Sequence, residues 1–208
     1  MSGKVITVEG VEGVGKSTCI QTIVGCAERA GLEVVQTREP GGSPNAERIR
    51  EHLLSRETSG LPDLAELLLM FAARCDHIEN TIRPALDRGC WVVSDRFTDS
   101  SFAYQGGGRG IDAGVIETLE SWVVAGLRVD RTFLLDLPPA TGRERLGARE
   151  LDRIEQEDAA FFNRTRDAFL SRARRDPRRF VVVDASQTPE AVNAELEHHM
   201  RDLLADPA

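Results

Sequence analysis

The sequence predicts an α/β fold in which a parallel sheet is covered by helices on both faces. Short β-branched runs alternate with helical stretches throughout the 208 residues. Strands separated by helices are typical of β-α-β crossovers, which pair their strands in parallel. A glycine-rich turn follows the first strand signal, and ligands bind at that end of such sheets. The length suits one domain with a full hydrophobic core, so we expect a single domain over residues 1–208.

Five segments carry the strand signal, and helix signals lie between them. The first helix ends before Gly31, and Ser43 and Pro44 have the residue types of an N-cap and a first helical position. Another helix begins near Pro62, where apolar residues recur at helical spacing, and Pro189 opens the last helix. The predicted strands are 5–8, 32–37, 90–94, 132–137 and 180–183.

Composition excludes several classes of protein. The chain has 34 acidic and 26 basic residues, a net charge of −8, which argues against a general binder of nucleic acid or of membrane surfaces. The four cysteines show no C-x-x-C spacing, so we expect reduced thiols, neither a disulfide framework nor a zinc site. The longest apolar run, 67–73, is far too short for a membrane span, and no secretion signal opens the sequence. We therefore expect a cytoplasmic protein.

The glycine-rich turn matches the phosphate-binding motif G-x-x-x-x-G-K-[ST] in full, directly after a strand and before a helix. Such a loop directs backbone N–H groups at phosphates, and the new helix adds its positive end. Lys16 reaches the β- and γ-phosphates, and the Ser17 hydroxyl ligates Mg²⁺. Lys16 is one of only two lysines in the chain. The predicted ATP-binding residues are Gly10, Val11, Glu12, Gly13, Val14, Gly15, Lys16, Ser17 and Thr18.

The remaining motifs favour a small-molecule kinase over a switch GTPase. Neither lysine follows an asparagine, so the guanine-reading N-K-x-D motif is absent, and no D-x-x-G occurs. Asp95 and Arg96 stand at the carboxyl end of the third strand, where Asp95 can lie near Mg²⁺ and Arg96 can bind an acceptor phosphate bidentately. A helix-capping aspartate beside a surface arginine explains the same pair equally well at this point.

Several longer motifs resemble the thymidylate kinases of bacterial type, over essentially the whole chain. They are T-R-E-P-G-G at 37–42, M-F-A-A-R at 70–74, D-R at 95–96, A-Y-Q-G-G-G-R-G at 103–110 and L-D-R-I-E at 151–155. The resemblance implies a P-loop NTPase fold with a five-stranded parallel sheet and a short lid at about 143–155. It also implies Mg²⁺- and ATP-dependent phosphorylation of dTMP to dTDP, in the supply of dTTP, by a homodimer that pairs through the 62–80 helix.

The resemblance also implies roles for single residues. Phe71 would stack on thymine, although its helical spacing alone favours a core position, and Arg74 would bind the carbonyl edge of the base. Tyr104 would lie against the deoxyribose, and Glu12 near the acceptor sugar and the transferred phosphate. The full set of expected acceptor-binding residues is Arg38, Phe71, Arg74, Arg96, Ser101, Tyr104 and Gln105, and the metal residues are Ser17 and Asp95.

The lid is expected to supply a further cation, because no variable position of the phosphate loop is basic. We expect Arg153 to swing in when both nucleotides are bound and to act as an arginine finger in cis, with Arg149 or Arg145 assisting. With Lys16, Glu12 and Arg96 it completes the predicted catalytic set. Alternatively, Arg153 pairs with Glu155 or Glu157 on a solvated helix, a contribution of about 0–1 kcal/mol. A kinase for another nucleoside monophosphate and a non-enzymatic nucleotide switch remain rival functions.

Overall fold

A computed structural model describes residues 3–58, 60–148 and 150–205, and its strands and helices alternate as predicted. The strands are β1 Val5–Glu9, β2 Val34–Arg38, β3 Trp91–Asp95, β4 Arg131–Asp136 and β5 Phe180–Asp184. The helices are α1 Lys16–Arg29, α2 Pro44–Leu54, α3 Asp63–His77, α4 Arg83–Asp87, α5 Thr98–Ser101, α6 Ala113–Val124, α7 Pro139–Leu146, α8 Ala159–Arg175 and α9 Pro189–Ala205. Wide helical turns at Ile78–Ile82 and Phe102–Gly108 continue α3 and α5.

The five strands form one parallel sheet in the order β2-β3-β1-β4-β5, which confirms the predicted fold class. Strand β1 is central and buried along its whole length. The registers pair Val8 with Asp95 and Arg38 with Asp95, so the carboxyl ends of β1, β2 and β3 meet at one edge. The phosphate-binding loop leaves β1 at that edge.

Helices cover both faces of the sheet. On one face, α1 and α9 pack through Ile20, Ile23 and Met200 against residues of β1 and β4. On the other face, Tyr104 and Phe169 share a cluster with Leu134 of β4. Among the helices that the structure describes, none is long and apolar enough to cross a membrane.

One predicted helix boundary has a different local chemistry from the one expected. Ser43 occupies the N-cap position of α2, but its hydroxyl donates to Asp76 at 2.5 Å and does not cap the helix. Pro84 lies in the first turn of α4, so it restarts the helix after the wide turn at Ile78–Ile82. The Ser43 bond to Asp76 ties α3 to the start of α2.

The predicted lid follows α7 and has no regular helix or strand from 150 to 158. It lies against the end of α2, because the Arg153 N–H donates to the Leu54 carbonyl at 3.3 Å. The Arg56 guanidinium binds the Leu151 carbonyl at 2.8 and 2.5 Å. Ile154 is buried in the same cluster as Tyr104. Arg149 lies outside the described residues.

Candidate active site

The phosphate-binding loop requires glycine where its backbone turns. Gly13 and Gly15 have φ of 76° and 92°, in the left-handed region that favours glycine, and a Cβ on Gly13 would overlap the Gly142 carbonyl of α7. Val11 and Val14 bury their side chains in the core, so only their backbone can face a phosphate. The loop is therefore anchored on its apolar side and free on its N–H side.

Lys16 lies folded back into the loop in this structure. Its Nζ donates to the carbonyls of Gly10 and Val11 at 3.1 and 3.0 Å. Burial, followed by the nearby Arg96 charge, lowers the pKa of Lys16 to about 8. A triphosphate beside this ammonium would oppose both effects, so the cation is poised for an anionic ligand.

Asp95 and Ser17 offer oxygen ligands to a divalent cation. Both line the same cavity as Lys16, and the Asp95 Oδ1 atom is buried without a hydrogen-bond partner among the described residues. The parts of the chain that the structure describes hold no group of three His, Cys, Asp or Glu side chains suited to a metal. Mg²⁺ typically uses one or two protein oxygens together with substrate phosphates, so these two residues fit that ion.

Arg96 is held by contacts on several sides. Its φ of 70° is unusual for a non-glycine residue, and such strain persists where the surroundings fix the residue. One guanidinium nitrogen donates to the Gly10 carbonyl at 2.9 Å, and the other to Glu12 at 2.9 Å and Tyr104 Oη at 3.0 Å. The Tyr104 hydroxyl donates to the same Glu12 Oε1 at 2.7 Å. The phosphate loop and the acceptor side are thereby joined.

One cavity of about 390 Å³ connects the phosphate loop with the polar groups beyond Arg96. It brings together most of the predicted site. The predicted residues that line it are Glu12, Gly13, Gly15, Lys16, Ser17, Thr18, Arg38, Arg74, Asp95, Arg96, Ser101, Tyr104 and Gln105.

The far end of the cavity is built around Arg74 of α3. Its Nε donates to Glu39 at 2.7 Å, its Nη1 to Ser101 Oγ at 3.0 Å and its Nη2 to the Phe97 carbonyl at 3.2 Å. These bonds fix a buried guanidinium with N–H donors left over for a ligand. Because Ser101 Oγ accepts from Arg74, its own proton can be donated. This end therefore suits carbonyl oxygens.

Comparisons with known proteins decide the family. The thymidylate kinase family profile matches residues 8–196. The chain belongs to the thymidylate kinase family. It is 52% identical to the thymidylate kinase of Chromohalobacter salexigens over 206 residues, 98% of this chain and 97% of the other. It is 54% identical to that of Cupriavidus pinatubonensis over 200 residues, 95% and 97% of the two chains. The crystal structure of thymidylate kinase from Ehrlichia chaffeensis superimposes with a TM-score of 0.79 at 33% identity, covering 97% and 99%.

The stacking role that the thymidylate kinase resemblance implied for Phe71 does not match its position. Phe71 is 2% exposed, packs against Ile116 of α6, and lies outside the set of described residues that line the cavity. Met70 lines the cavity instead. Met70 and Arg74 are one helical turn apart and share a face of α3, whereas Phe71 is rotated toward α6. Its ring supports the Arg74 guanidinium from behind, at 4.6 Å.

This arrangement predicts different effects for the two neighbours. Met70→Ala should raise the KM for dTMP more than Phe71→Leu does, whereas Phe71→Leu should mainly lower the melting temperature. If the Phe71 ring did stack on thymine, its loss in Phe71→Leu would weaken dTMP binding by about 1–3 kcal/mol. Steady-state kinetics and thermal melts of both variants check this. A larger KM effect for Phe71→Leu would return the stacking role to Phe71.

Two residues of this thymidylate kinase site were missed in the sequence. Arg50 of α2 lines the cavity and donates to the Pro40 carbonyl at 2.7 Å, so a third arginine joins Arg38 and Arg96. Burial, followed by Arg38, lowers the pKa of Arg50. Glu39 is the buried anion that orients Arg74. No motif marks Arg50, but Glu39 lies inside the T-R-E-P-G-G segment and could have been found there.

The lid arginine predicted from the thymidylate kinase resemblance is not beside the phosphate loop. Arg153 Nη2 binds Glu66 Oε2 at 2.7 Å and Arg153 Nε donates to the Leu53 carbonyl at 2.9 Å. The predicted alternative, a pair with Glu155 or Glu157, does not describe this contact either. Arg153 is held because α3 carries a buried carboxylate facing the lid.

Proposed function

We propose that this chain transfers the γ-phosphoryl group of ATP to dTMP, giving ADP and dTDP. The observation that carries the proposal is one cavity that joins a complete phosphate-binding loop to a buried arginine with free donors. The chain is 52% and 54% identical to two curated thymidylate kinases over at least 95% of its length, which makes it an enzyme, a dTMP kinase. A non-enzymatic switch is disfavoured because that cavity has a second, arginine-lined end.

Catalysis here consists of positioning two anions and neutralising their charge. The acceptor is an ionised phosphate, so no strong base is needed. Lys16 would bind the transferred group, and Arg38, Arg50 and Arg96 would hold the acceptor phosphate. Arg38 lies at the rim, paired with Glu47 at 2.9 Å. It must exchange that partner for the phosphate.

Mg²⁺ fits the oxygens of Ser17 and Asp95. When bound, the ion would neutralise charge on the β- and γ-phosphates. The protein contribution is to keep those two oxygens beside Lys16 at the edge of the sheet.

The sugar would lie against Tyr104 and Glu12, which are hydrogen-bonded to each other. Glu12 Oε2 is buried without a hydrogen-bond partner among the described residues, so it can accept from a sugar hydroxyl. Tyr104 is buried and fixed by Arg96 and Glu12, so it cannot swing aside for a ribose 2′-hydroxyl. This pair favours a deoxynucleotide.

A coupled assay of ADP release tests the proposed function. With ATP and Mg²⁺, dTMP should support faster turnover than AMP, GMP or CMP at equal concentration. Turnover without an acceptor should stay at background. Faster turnover with a purine monophosphate would assign the enzyme to another acceptor. The cytoplasmic location stays a prediction.

A homodimer is the proposed assembly, through an apolar patch on α3 and α6. Leu64 and Leu68 of α3 are 54% and 49% exposed, and Val115 and Trp122 of α6 are 41% and 72% exposed. The two helices pack against each other through Leu67 and Ile116, among others, so the patch is continuous. A second copy can cover such a patch symmetrically.

Light scattering after size exclusion checks the assembly. The wild-type chain should have the mass of a dimer, and Leu68→Glu that of a monomer, because a charge would be buried in the interface. Val182→Glu, at a comparably exposed apolar position on β5, should stay dimeric. A monomeric wild type, or a dimeric Leu68→Glu, would rule out this interface.

A further inference from the structure

Glu66 is a buried carboxylate that the proposed mechanism does not use. It lies on α3, is 1% exposed, and faces the lid and the wide turn after α5. Oε1 accepts from Gln105 Nε2 at 2.9 Å. Oε2 accepts from Arg153 at 2.7 Å and from Arg109 at 3.1 Å. Arg109 Nε also approaches Oε1, at 3.4 Å. The shorter bonds still divide the two oxygens, with the Gln105 amide on Oε1 and the two guanidinium groups on Oε2.

The charge on Glu66 fixes which way the Gln105 amide points. Burial raises the pKa of Glu66, but the Gln105 hydrogen bond and Arg109 outweigh burial, and the pKa lies below its usual value. An ionised carboxylate only accepts hydrogen bonds, so the NH₂ group of Gln105 must face it. The amide oxygen of Gln105 must then point elsewhere, and it makes no hydrogen bond within the described residues.

Gln105 lines the acceptor cavity, and Glu66 does not. The amide oxygen is thus the polar atom that Gln105 can offer to a bound base. Thymine has an N3–H donor between two carbonyl oxygens, whereas the N3 of cytosine is an acceptor. An amide oxygen fits the first and repels the second, and an unmatched buried polar pair is strongly rejected.

We propose that Glu66 is a positioning residue that sets the base specificity of the acceptor site by locking the Gln105 amide with its oxygen toward the base. The inference rests on the proposed function and names the base class that the site selects: pyrimidines with an N3–H. It acts through Gln105, since Glu66 itself does not touch the cavity.

The Glu66→Gln variant tests the proposal because it should reverse the orientation of the Gln105 amide. The carbonyl of the new amide should face Arg109 and Arg153, because they are donors only. Its NH₂ group then faces Gln105, and two opposed NH₂ groups force the Gln105 amide to flip. The flipped amide presents a donor to the base, so we expect the ratio of kcat/KM for dTMP to that for dCMP to fall by about tenfold or more. A ratio does not depend on the amount of folded enzyme, so a merely structural role would not move it.

Two controls separate polarity from stability. Glu66→Asp keeps an acceptor-only carboxylate and should keep the dTMP preference. Asp63→Asn removes another acid near Arg109, at 3.5 Å, that is half exposed and has no contact with Gln105. It should leave the ratio unchanged.

The outcomes distinguish this inference from the proposed function. If the wild type does not phosphorylate dTMP, the proposed function fails. If it does, and folded Glu66→Gln keeps the wild-type ratio, only the lock is overturned. Should Glu66→Gln not fold, Gln105→Met takes its place, because it removes the amide. Loss of the dTMP preference supports the step that the proposal requires, which is that the Gln105 amide reads the base, and a wild-type ratio in Gln105→Met overturns the proposal.

Discussion

Replacing Lys16 with methionine is expected to lower kcat by about 10²- to 10³-fold, the usual effect of losing one preorganised donor to a developing charge. The fold should survive, because the buried ammonium already bears a desolvation cost that lowers its pKa to about 8. Steady-state kinetics at saturating ATP and dTMP, with a thermal melt, measure both effects. Lys4→Met is the matched control, because Lys4 is the other lysine and its Nζ donates to the Leu203 carbonyl. Near-normal kcat in Lys16→Met would remove Lys16 from the mechanism.

The same lysine predicts a pH dependence of ATP binding. With a pKa of about 8 in the free enzyme, half of the Lys16 side chains are neutral at that pH. Triphosphate favours the charged form, so binding at pH 8 should take up as much as about half a proton. ATP affinity should therefore fall as the pH rises above 8. Calorimetry in buffers of different ionisation enthalpy measures the uptake. It should vanish in Lys16→Met, and persistence there would assign the proton to another group.

Replacing a lid arginine is expected to have the second large effect on kcat. The structure changes which arginine we expect to matter most. Three of them have hydrogen-bond partners outside the phosphate loop, although Arg143 and its partner Glu155 line a small pocket with Val11 and Glu12. Arg143 donates to the Glu155 carbonyl, Arg145 to the Ala185 carbonyl, and Arg153 to Glu66. Arg149, the residue expected to assist, lies outside the described residues. Because the loop has no basic variable position, the site still needs a cation. We propose that Arg149, expected from the sequence to assist, supplies it.

Arg149→Ala should therefore lower kcat on the order of 10³-fold or more, as loss of an arginine finger does. Arg153→Ala should cost less than about tenfold in kcat, because its guanidinium anchors the lid on α3. Both variants need kinetics at saturating ATP and dTMP, with ligand affinities measured separately. The reverse order of effects would restore Arg153 as the finger and show that it leaves Glu66 during turnover.

Local patterns predicted the fold and the donor half of the site because those depend on contiguous sequence. The first strand, loop and helix occupy 5–29, and the motif itself fixes where Lys16 and Ser17 lie. Asp95 follows from the rule that ligands bind where parallel strands end, whereas Arg38 came from the resemblance. The register pairs Arg38 with Asp95.

The acceptor half depends on contacts between distant segments, which spacing cannot show. Met70 and Phe71 are neighbours, and only the packing of α3 against α6 decides which one faces the cavity. Arg153 was expected at the phosphates from the lid resemblance, and its contact with Glu66 could not be predicted because the two residues are 87 positions apart in the sequence. The same distance hid the role of Glu66. Arg50 is exposed to the site only because α2 lies beside the turn at 39–42.

Internal competition tests most directly the central claim that the cavity is built for dTMP. Equimolar dTMP, dCMP, dUMP, dAMP and dGMP are incubated with limiting ATP and Mg²⁺, and the diphosphates are separated by chromatography. We predict dTDP as the main product, dUDP next, since one methyl group gives about 10- to 200-fold discrimination, and less of the others. A mixture dominated by dCDP or by a purine diphosphate would contradict the account.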